Sequence, residues 1–173
     1  MAGIKIPVEP RKRYSFIFQA AKPLDKLLPL TIDPSGVHMR SDGPNYLAGC
    51  PPKVDHAVNY DDFTHDNYIW EEIVWPRLAH RIPQFESIRL INSWVGHYAY
   101  NLLDQNAIVG YHNKITNFIF ANGFSGHGFQ QSPAIGRGIS ELIVYNKFKT
   151  LDLSPLSFSR IEVNKPVVEN AII

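Results

Sequence analysis

A chain of 173 residues, 45% of them hydrophobic and with a formal net charge of +1, can bury one sizeable core and carries no electrostatic footprint for nucleic acid. Its single cysteine, Cys50, excludes an internal disulfide and any cysteine cluster for zinc or iron–sulfur. No apolar run approaches the ~20 residues needed to cross a bilayer as a helix.

The opening "MAGIKIPVEPRKRYSFIFQAAK" is basic and nearly free of acids, the composition of a mitochondrial presequence. Pro7 and Pro10 forbid the amphipathic helix of such a leader, and Arg13 to Gln19 alternates as a strand. A second strand, "LPLTI", runs into the turn "DPSG", and "GVHMRSD" and "NYLAGC" continue as short strands around Gly43-Pro44. Together they predict an antiparallel meander. The polar stretch "PPKVDHAVNYDDFTHDN" precedes a helix expected from about Asp62 to Ile82, with Ile69, Ile73, Leu78 and Ile82 on roughly one face and Pro76 kinking it or splitting it in two. "IRLINSWVGHYAY" reads as a long strand and "NAIVG" as a short one. Phe118, Ile119 and Phe120 form a short buried strand, Gly123, Gly126 and Gly128 a tight loop, and Ile135 to Tyr145 a helix. The tail "KTLDLSPLSFSRIEVNKPVVENAII" has one short apolar segment and is expected to wrap the surface.

Strand, glycine loop and helix in that order form a holder for anionic groups. Glycines let backbone approach a ligand closely, and the first N–H groups of a helix lack internal partners and carry partial positive charge. This physics names no ligand. His127, between two glycines, fits a ligand site better than a catalytic role. On the long strand, alternation sends Trp94, Gly96, Tyr98 and Tyr100 to one face and Val95, His97 and Ala99 to the other. The aromatic face reads either as a flavin or substrate wall or as ordinary sheet packing. His56, Asp61, Asp62, His65 and Asp66 crowd one loop without matching a metal-ligand spacing, and acids before a helix are the usual capping and dipole arrangement. No metal site is assigned.

Read together, "IPVEPRKRYSFIF", "SWVGHYAYNLLDQNAIVG" and "NFIFANGFSGHGFQQSPAIGRGISEL" resemble the C-terminal part of FAD-dependent amine and amino-acid oxidoreductases, the family of sarcosine oxidase, glycine oxidase and D-amino-acid oxidase. The resemblance implies an α+β fold: an antiparallel substrate-domain sheet with a kinked helix over residues 1–112, then the closing strand, Gly-His-Gly loop and helix of an FAD-binding dinucleotide domain over 113–148. Residues 149–173 would form the tail. It implies non-covalent FAD as cofactor, contacted by Gly123, Phe124, Ser125, Gly126, His127, Gly128, Phe129 and Gln130, with Tyr98 and Tyr100 lining the substrate side of the flavin. Amino-acid oxidases of this family place an arginine shortly after a tryptophan–glycine pair, a position that here reads "WVGHYAYN", so the implied chemistry is C–N oxidation without an assigned amino-acid substrate.

A narrower likeness, carried by "VWPRLAHRIPQFES", by "DQN" at Asp104 to Asn106 and by "LDLSPLSFSR…VVENAII", is to a mitochondrial branch of the family that assists assembly of respiratory complex I. It implies a mitochondrial setting and complex I subunits or assembly factors as partners. The family opens with a strand, GxGxxG and a helix for the pyrophosphate, and no such unit occurs here. The chain is therefore expected to be a fragment, a short isoform or a truncated form. On its own it is expected to bind FAD weakly, show no oxidase activity and self-associate. The alternative is a cofactor-free interaction domain, which a flavin spectrum distinguishes.

Overall fold

A computed structural model describes residues 3–170. In chain order the elements are β1 (Val8–Ala20), β2 (Thr31–Ile32), β3 (His38–Asp42), β4 (Asn45–Cys50), a π-helical turn (Ile69–Val74), α1 (Trp75–Arg81), β5 (Ile88–Asn101), β6 (Ile108–Tyr111), β7 (Ile119–Asn122), α2 (Gly128–Tyr145) and a short α3 (Ser159–Glu162). The fold is α+β. The described chain gathers into two compact units, residues 11–97 and residues 3–10 with 98–170. No helix among the described residues is long and apolar enough to cross a membrane.

The first unit is built on a sheet of order β2-β3-β4-β1-β5. β1 pairs antiparallel with β4, Phe16 opposite Ala48 and Phe18 opposite Tyr46, and β3 pairs antiparallel with β4. The expected meander is present, its second strand trimmed to Thr31–Ile32. Alternation puts Tyr14, Phe16 and Phe18 on one face, where they are buried with Met39, Tyr46, Ile69, Leu78 and Phe85.

The helical segment differs from the expectation at its start. It begins at Ile69, because side chains of the preceding stretch are drawn into tertiary pairs: Lys12 Nζ lies 2.8 Å from Asp62 Oδ1, and the Tyr14 hydroxyl donates to Asp66 Oδ2. No side chain caps the π-helical turn, so the acids before it do not serve as its N-cap. Pro76 divides the segment as expected. Lacking an N–H, it cannot extend the i→i−4 ladder, and the residue before it, Trp75, donates to Trp70 O, one residue further back than an α-helix allows.

In the second unit β6 and β7 form a two-stranded antiparallel sheet, Val109 opposite Ala121. Two small cores flank it: Ala107, Val109, Ile135 and Leu153 on one side, Ile108, Phe120 and Phe158 on the other, the latter extended by Ile4, Ile6 and Val8. The tail wraps the surface only in part, residues 162–168 being exposed. Leu153, Phe158 and Arg160 are buried, and Arg160 donates to both carboxylate oxygens of Asp104.

α2 starts seven residues earlier than the apolar spacing predicts, at Gly128, and runs through Pro133. Proline leaves the carbonyl four residues back without a donor, and here Ser132 Oγ supplies one, donating to Phe129 O at 2.8 Å. The helix ends where Asn146 turns left-handed and its N–H donates to Leu142 O.

Candidate functional site

Between β7 and α2 the backbone passes through left-handed conformations at Gly123 (φ 73°), Ser125 (φ 49°) and Gly126 (φ 101°) before His127 sets the helix start. Glycine is required at two of these by space as well as by angle. A Cβ on Gly123 would lie 3.0 Å from Val8 Cγ2, and one on Gly126 would lie 2.4 Å from Cε2 of the Tyr98 ring. The loop is thereby pressed against the end of β5, and Tyr98 belongs to the same site as the glycines.

Ser125 fixes that contact. It is only 1% exposed. Its N–H donates to Ala99 O (3.1 Å), its Oγ accepts from the Asn101 N–H (2.9 Å), and the same hydroxyl donates to Gly123 O (3.3 Å). Asn101, fully buried, in turn donates through Nδ2 to Asn106 O at 2.7 Å and accepts the Leu103 N–H at 3.0 Å. Backbone polar groups that a left-handed loop leaves unpaired are thus bonded to the strand that carries Tyr98 and Tyr100.

The first bond of α2 runs from Gln131 N–H to His127 O, so the N–H groups of Gly128, Phe129 and Gln130 have no acceptor inside the helix. No acidic residue occupies the first turn, and His127 at the N-cap makes no side-chain capping bond. The partial positive charge of the helix end is therefore not cancelled by its own side chains. Gln131 adds an unfilled polar group, its Oε1 buried without a hydrogen-bond partner. An anionic group or a ring bearing both donors and acceptors suits this end chemically.

Eight loop and helix residues and two tyrosines stand as expected contacts, and the structure treats them differently. Gly126, Gly128, His127 and Tyr98 come together at the helix start. Tyr100 lies half-buried one strand repeat further along β5. Phe124 packs inward beside Ile135 and Leu153, where a Cβ on Gly128 would touch its ring at 3.4 Å, and Phe129 is 94% exposed. Gln130 is exposed and Gly123 buried. Sequence reasoning missed Asn101 and Gln131. A polar residue closing an apolar, aromatic strand is a signal for the first; Gln131 has no signal apart from its place in the first turn.

The acid and histidine loop of the first unit is engaged otherwise. His56 Nδ1 bonds Val54 O at 3.1 Å, His65 packs edge-on to Tyr14 and Phe16, and His97 bonds Asp62 O at 2.8 Å while stacking on Phe63. Cys50 is buried, and burial pushes its thiol up to about 12.

Residues 1–142 match the family described as FAD dependent oxidoreductase, and the chain belongs to that family. It is similar to FAD-dependent oxidoreductase domain-containing protein 1 of Xenopus laevis, 45% identical over all of this chain and 35% of that protein, and of Bos taurus, 41% identical over all of this chain and 36% of that one. The chain spans about a third of the length of these curated relatives. Among solved structures it resembles L-proline dehydrogenase from P. horikoshii, with TM-score 0.82 and 25% identity over 95% of this chain and 43% of that one. It shares the fold of glycine oxidase from Geobacillus kaustophilus, with TM-score 0.75 and 22% identity over 91% of this chain and 40% of that one.

Proposed function

We propose that the loop Gly123–Gly128 and the first turn of α2 receive the ring end of a non-covalently bound FAD, in a protein that oxidises C–N bonds of amines. The observation that carries this reading is the uncapped start of α2, with Gly128, Phe129 and Gln130 N–H groups lacking intrahelical acceptors beside a loop held by Ser125. Bound there, FAD would accept the hydride leaving the carbon next to a substrate nitrogen. The helix end would stabilise negative charge at its N–H groups, Gln131 Oε1, which has no partner, would accept a hydrogen bond, and Tyr98 and Tyr100 would line the substrate side. Non-covalent attachment is supported by Cys50, a buried neutral thiol on β4, in the unit that does not hold the loop. The reading extends to a mitochondrial setting and to respiratory complex I assembly, which rest on the sequence resemblance alone.

The test is an FAD titration of the protein carrying this chain, followed by the visible absorbance of bound flavin. Gly128→Val, which places a branched side chain at the helix start, is expected to weaken binding by at least about tenfold, and Gln131→Ala to weaken it less. Circular dichroism separates loss of the site from loss of the fold. Normal flavin content in a folded Gly128→Val protein refutes the loop assignment. A bound flavin that no secondary amine bleaches without oxygen refutes the C–N chemistry.

A further inference from the structure

The first unit contains a cleft that the flavin reading leaves unused. It measures about 420 Å³, within the range of small-molecule sites, and lies between β1 and the segment leading to the π-helical turn. Lys12 and Tyr14 line it from β1, Pro52, Val54 and Val58 give it apolar walls, and Asp66 and Tyr68 belong to the same lining. Tyr14 shares its face of β1 with Phe16 and Phe18, in the core that Val95 also joins, so the cleft opens on the side of the sheet away from Trp94 and Gly96.

The charges in the cleft do not balance evenly. Lys12 is spent: its ammonium pairs with Asp62 at 2.8 Å and donates to Thr64 O at 3.0 Å. Asp66 is not. Its side chain is bonded, among the described residues, only to the Tyr14 hydroxyl, which donates to Oδ2. Burial and that bond push the Tyr14 phenol well above its ordinary range, so it stays a neutral donor. His56 donates from Nδ1 to Val54 O, which leaves Nε2 as an acceptor in the neutral ring. Beside Tyr14 both ring nitrogens of His65 are buried without partners. Lys53, the remaining cation of the lining, is solvent-exposed and therefore screened. The groups with spare capacity are an unpaired carboxylate, an imidazole acceptor and the ring of Tyr68. Their common complement is a cation with N–H donors and a small apolar body.

We propose that this cleft binds a small organic ammonium ion, with Asp66 as its counter-ion, Tyr68 as its aromatic wall and Val54 and Val58 against its carbon chain. Neither this reading nor the flavin reading depends on the other. The probe is n-propylammonium, titrated into the protein against propan-1-ol and propionate and read by amide chemical-shift changes at residues 52–68. For four heavy atoms a dissociation constant on the order of 1 mM is expected, with no saturable shift from the alcohol or the carboxylate. Asp66→Asn should weaken propylammonium by at least about tenfold. Val58→Trp, which fills the cleft, should abolish it in a protein that circular dichroism shows to be folded. Propan-1-ol or propionate binding as tightly as propylammonium overturns the proposal, and so does unchanged affinity in Val58→Trp.

Discussion

Gly126 and Gly138 show how the same substitution is expected to differ by position. A Cβ on Gly126 meets the rigid Tyr98 ring at 2.4 Å and forces an L-residue into φ 101°, whereas one on Gly138 meets the Cδ1 tip of Leu153, also at 2.4 Å, on a side chain that can turn. Gly126→Ala should therefore cost about 1–3 kcal/mol and displace Tyr98, and Gly138→Ala about 1 kcal/mol or less once helix propensity offsets the crowding. Urea unfolding of both variants checks the order; a larger loss at Gly138 contradicts it. Legibility at this scale divides in the same way. The glycines announce their loop in the sequence because few other residues turn left-handed. Ser125 announces nothing: its local setting reads as a ligand contact, and only Asn101, 24 positions away, reveals that its hydroxyl is committed to the strand.

Elements with one clear period were legible and those shaped by distant partners were not. β4 and β5 appear over the stretches that were expected, whereas β1 starts at Val8, five residues before the expected Arg13, and runs through Pro10. The start of the helical segment was misread because the Lys12–Asp62 and Tyr14–Asp66 pairs form across about fifty residues, and the start of α2 because the apolar spacing begins only at Ile135, while Ser132 replaces the donor that Pro133 lacks in the turns before it. The tail was partly misread for a related reason. Its apolar residues are few, and what seats it is polar. Arg160, bound to both oxygens of Asp104 and to Leu156 O and Asn106 O, is matched by the Val167 N–H donating back to Asp104 Oδ2 at 3.0 Å. Asp104→Ala would strand a buried guanidinium and is expected to cost about 3–5 kcal/mol. Hydrogen exchange should show residues 154–167 losing protection first. Uniform loss across the second unit would mean that the pair supports the whole unit and not the tail alone.

Over the whole molecule, acidic groups tie stability to pH in one direction. Glu141 accepts from the Thr150 hydroxyl, the Lys149 and Thr150 N–H groups and Arg137, which together hold its carboxyl at about 2 against an ordinary 4.5; Asp62, bonded to Lys12 and Thr64, is also held at about 2. Folded values below the unfolded ones mean that this stability is fully present above about pH 4.5 and drains away as pH falls toward 2. The urea midpoint should stay level above that pH and drop below it, and Glu141→Gln should flatten part of the drop. A midpoint indifferent to pH between 4.5 and 2 would show that these bonds are not what holds the fold together. The way the chain divides also sets an order of events in folding. The second unit is made from two pieces separated by residues 11–97, joined where the Leu102 N–H meets Pro7 O at 2.8 Å. Closing that span as a free loop costs about 4 kcal/mol of chain entropy. If the first unit forms beforehand, β1 and β5 lie side by side in its sheet, and the two pieces leave it already as neighbours. Pulse-labelled hydrogen exchange should therefore find β1, β3 and β4 protected before β6 and β7. The glycine loop would be among the last segments to take shape, so nothing that binds it could assist the earlier steps.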